Sequence, residues 1–133
     1  MPYPHDAIVY SVSPQVSNAQ MNKLFASAWD GFTESDFGKM LAHSLAYVCA
    51  YSDLQLVGYV NLAWDGGIHA FLLDTTVHRD WQRQGIGRHL VEVATERGIH
   101  WLHVDYEPHL EQFYKECGFL DTHAGLRWLR EGH

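Results

Sequence analysis

The chain has 133 residues and a mass of 15.3 kDa, which fits a single domain spanning residues 1–133. Its formal net charge of −7 argues against a nucleic-acid partner, because phosphate binding needs a basic face. No apolar run is long enough for a membrane span, and Met1–His5 lacks the pattern of a secretion signal. The two cysteines, Cys49 and Cys117, lack metal-ligand spacing, so we expect a cytoplasmic protein with reduced thiols and no metal site.

In chain order, the first half predicts a strand, two helices and a run of strands. Ser17 and Gln20 have the spacing of a capping box, which starts a helix, and a second short helix is expected after Thr33–Asp36. The tight turn at Ser52–Asp53 separates two β-rich runs and predicts a hairpin. The strands predicted in this half are Ala7–Ser13, Leu45–Tyr51, Leu54–Trp64 and Ile68–Val77.

The second half changes to a strand–helix–strand–helix pattern. Glycines mark the ends of both helices, and a proline stands where a first helical residue is favoured. The predicted elements are a helix from Ile86 to Gly98, a strand at His100–Asp105, a helix from Pro108 to Gly118, and short closing strands at Phe119–His123 and Gly125–Leu129. The order β-α-α-β-β-β-α-β-α-β-β is that of a mixed α+β fold with a crossover unit.

The segment from Gln82 to Arg88 follows a predicted strand directly and opens a helix. Free backbone N–H groups at a helix start, together with the positive end of the dipole, bind anions. Gly85 and Gly87 leave those groups accessible, and Arg83 and Arg88 can add charge-assisted contacts to the same ligand. The alternative is a tight turn that uses glycine for geometry only. Three of the nine Lys/Arg residues, Arg79, Arg83 and Arg88, lie close together in this acidic chain, which suggests a small anionic ligand, although a solvated basic helix end explains the charge equally well.

The stretch Gln82–Gly87 matches the Q/R-x-x-G-x-G/A motif of the GNAT superfamily of N-acetyltransferases, and its surroundings resemble the same family. Leu56–Tyr59 looks like the family's third strand, Leu73–His78 like its fourth, and Phe113–Phe119 like its C-terminal signature. The resemblance implies a GNAT-like central mixed, mostly antiparallel sheet flanked by about four helices, and acetyl-coenzyme A as co-substrate. One departure is Glu107, which stands where the family often has an asparagine that contacts pantetheine.

The resemblance also implies which residues hold the cofactor. In the family the pantetheine arm lies in a gap between the fourth and fifth strands, and the pyrophosphate rests on the loop before the helix. The pantetheine role falls on Thr75, Thr76 and Val77. The remaining cofactor-binding positions are Gln82, Arg83, Gln84, Gly85, Ile86, Gly87, Arg88 and, from the C-terminal signature, Phe113.

Tyr114 matches the tyrosine that the family uses to protonate the departing thiolate. A phenol suits this task because its pKa of about 10 keeps it protonated at neutral pH. Tyr114 also lies on the apolar stripe of its predicted helix, so a purely packing role is the alternative.

An amine attacks only when it is neutral, so a proton acceptor is needed near the thioester. By strand alternation Asp74 shares a face with Leu72 and Thr76, and a charged residue within a strand points to a function. A surface aspartate is the alternative. On the next strand His103 and Asp105 share one face, and His103 has the intrinsic pKa of a base. An incidental histidine, one of ten, and a helix-capping aspartate explain these two equally well.

The sequence thus predicts transfer of acetyl from acetyl-coenzyme A to a primary amine by direct attack. The acceptor is expected to be a small-molecule amine or a peptide, with a small cationic amine favoured by the acids and aromatics of the first two helices and their loop, namely Trp29, Asp30, Phe32, Glu34 and Asp36. A solvated helix start explains the same residues without a ligand. The alternative function is a non-catalytic acyl-coenzyme A-binding or sensor domain. Neither a nucleic acid nor a membrane is an expected partner, and a homodimer is compatible with the sequence.

Overall fold

The computed structural model describes residues 8–130, and its centre is one sheet whose strands lie in chain order. Neighbouring strands are antiparallel except for the last pair, β4 and β5, which is parallel. The strands are β1 Ile8–Val12, β2 Ser44–Ser52, β3 Gln55–Trp64, β4 His69–Val77 and β5 Trp101–His103. Ala7 of the predicted first strand lies outside the described residues. The mixed, mostly antiparallel sheet that was expected is confirmed.

Four α-helices and two short 3₁₀ turns accompany the sheet within residues 8–130. The helices are α1 Asn18–Ala28, α2 Gly38–Leu41, α3 Ile86–Ala94 and α4 Glu111–Glu116, and the 3₁₀ turns are Arg79–Trp81 and Pro108–Leu110. The predicted capping box is present: the Gln20 N–H donates to Ser17 Oγ, and the Ser17 N–H donates to Gln20 Oε1, each at 3.1 Å. These reciprocal bonds fix where α1 begins.

The two faces of the sheet carry separate apolar cores because side chains alternate along each strand. On one face Val60, Leu62 and Leu72 pack against Leu90 and Val91 of α3. On the opposite face β2 and β3 pack against α1 and the residue that precedes α2, in a cluster formed by Met21, Leu24, Phe25, Phe37, Cys49, Leu56 and Tyr59. The sheet therefore holds α3 and α1 in fixed positions on opposite sides.

The structure departs from the prediction mainly after α3. The helix ends at Ala94 and not at Gly98, and β5 has three residues where six were expected. The prediction of closing strands at Phe119–His123 and Gly125–Leu129 is wrong, since neither segment forms a strand. Strand-forming sequence gives a strand only where its hydrogen bonds reach a neighbouring edge, and within residues 8–130 these segments pair with no edge, although the outer edge of β5 has no strand partner.

None of the helices between residues 8 and 130 combines the length and apolar character that crossing a membrane requires.

The packing of α3 on the sheet predicts where the stability lies. Leu90→Ala should lower the free energy of unfolding by about 2–5 kcal/mol, because the leucine is fully buried and its removal leaves a cavity. Leu54→Ala is the matched control, since Leu54 is 91% exposed and its loss should cost less than about 0.5 kcal/mol. Urea denaturation followed by circular dichroism measures both. Equal effects of the two substitutions would contradict this packing.

Candidate active site

Strands β4 and β5 pair over a short distance and then separate. Their parallel register contains three pairs, which are His69 with Trp101, Ala70 with Leu102 and Phe71 with His103. β4 continues to Val77, so the β5-facing edge of β4 has no strand partner after Phe71 within residues 8–130. Backbone N–H and C=O groups on such an edge are available to an extended ligand. The gap is the first feature of the site.

A β-bulge lies in β4 beside this gap. Asp74 and Thr75 together oppose the single residue Val60 of β3, and Asp74 has a φ of +60°, in the left-handed region. Aspartate tolerates this conformation better than most residues. The bulge breaks the alternation of β4: Leu72 packs in the core beneath α3, whereas Thr76 lies on the α1 face. The prediction that Asp74 shares one face with both residues was therefore wrong.

Trp29, the C-cap of α1, holds the bulge in place. Its indole Nε1–H donates to Thr76 Oγ1 at 3.0 Å, and the Thr76 hydroxyl donates in turn to the backbone carbonyl of Asp74 at 2.9 Å. The Trp29 ring remains 46% exposed, so it forms part of the surface next to Asp74. This chain of bonds connects the α1 end to the strand that borders the gap.

Tyr114 of α4 reaches the gap from the opposite face. Its hydroxyl donates to Thr75 Oγ1 at 3.3 Å, and its ring stacks on that of Tyr106 with the centroids 5.0 Å apart. Burial raises the pKa of Tyr114 above its ordinary value of 10.0, and the negative charge of Asp105 adds to the rise. The phenol is therefore a proton donor at neutral pH, held at the strand edge.

The two other predicted acid–base residues take different positions. The Nε2 atom of His103 lies 2.8 Å from Nδ1 of His69, and its ring stacks on Phe71 at a centroid distance of 4.6 Å. His103 thus sits at the last paired position before the gap, and no bond connects it to Tyr114 within residues 8–130. Asp105 does not cap the following helix, whose N-cap is Glu107, and it lies close enough to Tyr114 to affect that pKa.

Asp74 is the carboxylate that borders the bulge. Partial burial raises the pKa of Asp74 above its ordinary value of 3.8. Asp74 as a whole is nevertheless exposed, so water still reaches the carboxylate and its desolvation is incomplete. Within residues 8–130 Asp74 has no ion-pair partner, in contrast to Asp30, which pairs with Arg79 at 3.4 Å. Its charge is available to a cation arriving from solvent.

The loop before α3 forms an open cradle. Gly85 is the N-cap of α3 with a φ of +85°, it supplies no side-chain cap, and a Cβ added there would meet no atom within 4 Å. The first intrahelical bond runs from the His89 N–H to the Gly85 carbonyl at 3.1 Å, so the preceding amides of the first turn point outward without helical acceptors. Arg83 and Arg88 have no ion-pair partner within the described chain. The cradle is suited to a phosphate group.

Two residues of the motif shape the cradle from within the fold. A Cβ on Gly87 would lie 3.3 Å from the Phe113 ring and 3.6 Å from a methyl group of Val77, so glycine here permits α3, α4 and β4 to meet closely. Gln82 donates from Nε2 to the Val77 carbonyl at 3.0 Å and closes the loop onto the end of β4. Gly87 thus has a packing role and Gln82 a hydrogen-bonding role that the motif alone did not reveal.

Neither cysteine is prepared for nucleophilic chemistry. Burial raises the pKa of Cys49 to about 12, and burial also raises the pKa of Cys117, although the nearby Arg88 acts in the opposite direction. Both side chains are free thiols that stay protonated near neutral pH. Residues 8–130 also contain no group of three or more His, Cys, Asp or Glu side chains arranged to hold a metal ion.

Some of these relationships were missed by sequence reasoning. His69 was not singled out, because its contact with His103 depends on the parallel register of β4 and β5. The bond from Trp29 to Thr76 joins residues that are 47 positions apart, and no local pattern signals it. The aspartate within a strand was the one local signal of the bulge, since aspartate is both a poor strand former and tolerant of positive φ.

Comparison with known proteins agrees with this geometry. A model of the acetyltransferase (GNAT) family matches residues 16–119. The sequence is 29% identical over 79 residues to the uncharacterized N-acetyltransferase ycf52 of Pyropia yezoensis, covering 56% of this chain and 45% of the relative. The homologous protein of Porphyra purpurea is 28% identical over 82 residues, covering 59% and 47%. The chain thus spans about half the length of the curated relatives it matches.

Solved structures share the fold. The GNAT family acetyltransferase SP0256 of Streptococcus pneumoniae TIGR4 superposes with a TM-score of 0.77 at 25% identity, covering 93% of this chain and 98% of that one. The aminoglycoside N-acetyltransferase AAC(6')-Iy, solved in complex with CoA, gives a TM-score of 0.73 at 17% identity, covering 93% and 95%, and shows likeness of fold alone. The chain belongs to the GNAT acetyltransferase family.

If the cradle holds the phosphates of coenzyme A, a substitution there should weaken coenzyme A binding. Gly85→Asp places a side chain and a negative charge where phosphates would approach the α3 amides, so the dissociation constant should rise at least tenfold, about 1.4 kcal/mol. Isothermal titration calorimetry with coenzyme A measures the change. Gly66→Asp is the matched control, because Gly66 has a φ of +86° and equally open surroundings in the β3–β4 turn. Undiminished coenzyme A binding by a folded Gly85→Asp protein would contradict the assignment of the cradle to the phosphates of coenzyme A.

Proposed function

We propose that this protein transfers an acetyl group from acetyl-coenzyme A to a primary amine by direct attack. The observation that carries the proposal is the Tyr114 hydroxyl, buried, protonated and bonded to Thr75 at the edge of the gap between β4 and β5. A binding module has no need of a proton donor at this point. The high pKa values of both thiols favour direct attack over a cysteine-bound intermediate.

The residues present fit the cofactor that the family uses. The open space above Gly85 and the outward amides of α3 suit a pyrophosphate, with Arg83 and Arg88 beside them, and the unpaired edge of β4 suits an amide-bearing arm. Gln82 already bonds the Val77 carbonyl, so the contacts of the arm would fall on the backbone of Thr75 and Thr76. Acetyl-coenzyme A supplies the thioester that makes the acyl group transferable. Tyr114 would hold a proton for the leaving sulfur.

The acceptor side is proposed to lie at the bulge and to favour a small cationic amine. Asp74 presents an unpaired carboxylate at the bulge, and the partly exposed Trp29 is connected to the Asp74 backbone through the Thr76 hydroxyl. An anion and an aromatic ring in one region both attract an ammonium group. Two other acids of this region, Asp30 and Asp36, already have partners. Asp30 pairs with Arg79, and Asp36 accepts bonds from the Asn18 side chain and the Gly38 N–H, each at 3.0 Å, which lowers the pKa of Asp36.

Asp74 is accordingly proposed as the group that meets the incoming amine. A carboxylate at this position can hold an ammonium ion or the water that removes its proton. His103 is the second candidate for the base, because it lies half-buried at the last paired position before the gap. Asp105 is proposed to act on Tyr114 by its charge. A cytoplasmic location is proposed from the two free thiols.

The role of Tyr114 is tested by removing its hydroxyl. Tyr114→Phe should lower kcat by about 10²-fold or more while leaving acetyl-coenzyme A affinity nearly unchanged, because only proton donation is lost. Turnover is measured by detecting free thiol over a panel of amines. Tyr106→Phe is the control, since that hydroxyl bonds the exposed Asp121 at 3.2 Å, away from Thr75. Wild-type kcat in the Tyr114→Phe enzyme would show that this tyrosine only packs.

The role of Asp74 is tested by removing its charge and keeping its shape. Asp74→Asn should lower kcat/KM for amines by about tenfold or more and leave cofactor binding intact, whereas Asp30→Asn, which removes a paired exposed charge, should have little effect. In the wild type, activity should fall as pH drops toward the pKa of Asp74, which burial places above 3.8. Equal activity of wild type and Asp74→Asn across pH 6 to 9 would exclude Asp74 and favour His103. Absence of amine turnover in both would instead support a sensor domain.

A further inference from the structure

A cleft separates α1 from the beginning of β3, on the face of the sheet opposite α3. Its volume is about 330 Å³, and it is lined by Gln20, Lys23 and Leu24 of α1, by residues 54–56, and by His78, which directly follows β4. Pockets that hold small molecules begin at roughly 300 Å³, so the cleft has room for a small ligand. None of these residues belongs to the bulge in β4 or to the cradle before α3.

The cleft has an apolar floor and an exposed apolar wall. Leu24 and Leu56 belong to the core between α1 and the sheet, and their exposed fractions are 1% and 5%. Leu54 lies in the β2–β3 turn and is 91% exposed. An alkyl group in the cleft would remove the surface of the Leu54 side chain from water, together with its own, and that burial is favourable. The leucines therefore favour a ligand with an apolar body.

The polar side chains around the cleft have hydrogen-bond donors to spare. Lys23 has no ion-pair partner within residues 8–130. Gln20 uses its Oε1 atom to accept the Ser17 N–H, which leaves its amide hydrogens for another acceptor. His78 accepts the Asp80 N–H at Nδ1, 3.1 Å away, so the hydrogen of its own ring is on Nε2. The cleft thus offers an ammonium group, an amide and an imidazole N–H to one ligand.

The lining of the cleft is positive although the chain is acidic. The sequence has 16 Asp and Glu residues against nine Lys and Arg, yet among the described residues Lys23 is the one formally charged side chain that lines the cleft. A cation and neutral donors without a neighbouring carboxylate complement an anion. A carboxylate is acceptor-only, with about four sites for hydrogen bonds, and is ionised at neutral pH.

We propose that this cleft is a second binding site, for a small free carboxylic acid with a short alkyl chain. The carboxylate would accept bonds from Lys23 and His78, and the alkyl chain would lie on the leucine floor against Leu54. Such a ligand would connect α1 to the residue that follows β4. Since α1 ends at Trp29, which bonds Thr76, the occupied cleft would brace the helix that supports the bulge. The site is independent of the acetyl-transfer chemistry.

Titration of the full chain with hexanoate, followed by backbone amide chemical shifts, tests the site. Saturable shifts are expected at the residues of the cleft, with a dissociation constant of about 1 mM, as suits a ligand of so few atoms. Lys23→Gln should raise this constant by about tenfold or more, because the charge partner is lost. Lys39→Gln is the matched control, since it removes an exposed lysine of α2 that does not line the cleft. Circular dichroism verifies that both variants are folded.

Two further probes separate the charge from the alkyl chain. Butanoate should bind about fourfold or more weakly than hexanoate, because it buries two fewer methylene groups. The neutral analogue 1-hexanol should bind about tenfold or more weakly than hexanoate, and Lys23→Gln should not affect its binding. Equal binding of butanoate and hexanoate, or of 1-hexanol and hexanoate, would contradict the proposed ligand class.

The location of the site is tested with coenzyme A present. Saturating coenzyme A should leave the hexanoate dissociation constant unchanged within about twofold, because the cleft and the cradle lie on different elements. Loss of the hexanoate shifts under these conditions would place the carboxylate in the cofactor site and overturn the proposal. Absence of saturable shifts in the cleft up to about 20 mM hexanoate, well above the expected constant, would also overturn it. So would an unchanged dissociation constant in Lys23→Gln.

Discussion

Strands β4 and β5 share three parallel pairs and then part, so the β5-facing edge of β4 from Leu72 to Val77 has no strand partner within residues 8–130, and Gln82 bonds the carbonyl at its end. The position of the other groups in the site follows from that separation. Tyr114 projects from α4 on the α3 side of the sheet and contacts Thr75, whereas Trp29 approaches from the α1 side and contacts Thr76. Thr75 thus contacts the proposed proton donor on one face of the sheet, and Thr76 contacts the proposed acceptor surface on the other face.

An acidic protein that binds an anion needs local charge that outweighs its net charge. The chain carries a formal charge of −7, yet the loop before α3 combines outward amides with Arg83 and Arg88. At physiological salt the interaction between exposed charges fades beyond about 8 Å, so under the proposed function the loop, and not the net charge, would govern the approach of a phosphate at close range. The distant acidic residues can at the same time favour an approaching cationic acceptor over an anionic one.

The sequence was sufficient for features that depend on neighbouring residues. The capping box at Ser17, the hairpin around Asp53 and the strand–loop–helix junction at Gly85 all follow from local chemistry, and the structure contains each of them. The C-terminal signature also singled out Tyr114, whose hydroxyl bonds Thr75 in the structure. These features were predictable because their hydrogen bonds and backbone angles are determined within a few residues.

Features that depend on how distant elements meet could not be predicted. The side-chain contact between His69 and His103 depends on the register of two parallel strands. The bond from Trp29 to Thr76 requires the end of α1 to lie over β4. The closing strands were predicted from composition, but a strand also has to bond to a neighbouring edge, and neither Phe119–His123 nor Gly125–Leu129 does so within residues 8–130. Only the aspartate at position 74 gave a local sign of an irregular strand.

The left-handed backbone at position 74 also limits how this protein could evolve. A β-branched or bulky residue is strained at a φ of +60°, whereas aspartate, asparagine and glycine adopt that angle readily. The substitutions open to descendants of this sequence thus range from a negative side chain through a neutral amide to none at all, with the bulge preserved throughout. The charge offered to an acceptor could therefore change by substitution among these three residues while the sheet stays the same. Related proteins could differ in acceptor preference through position 74 alone.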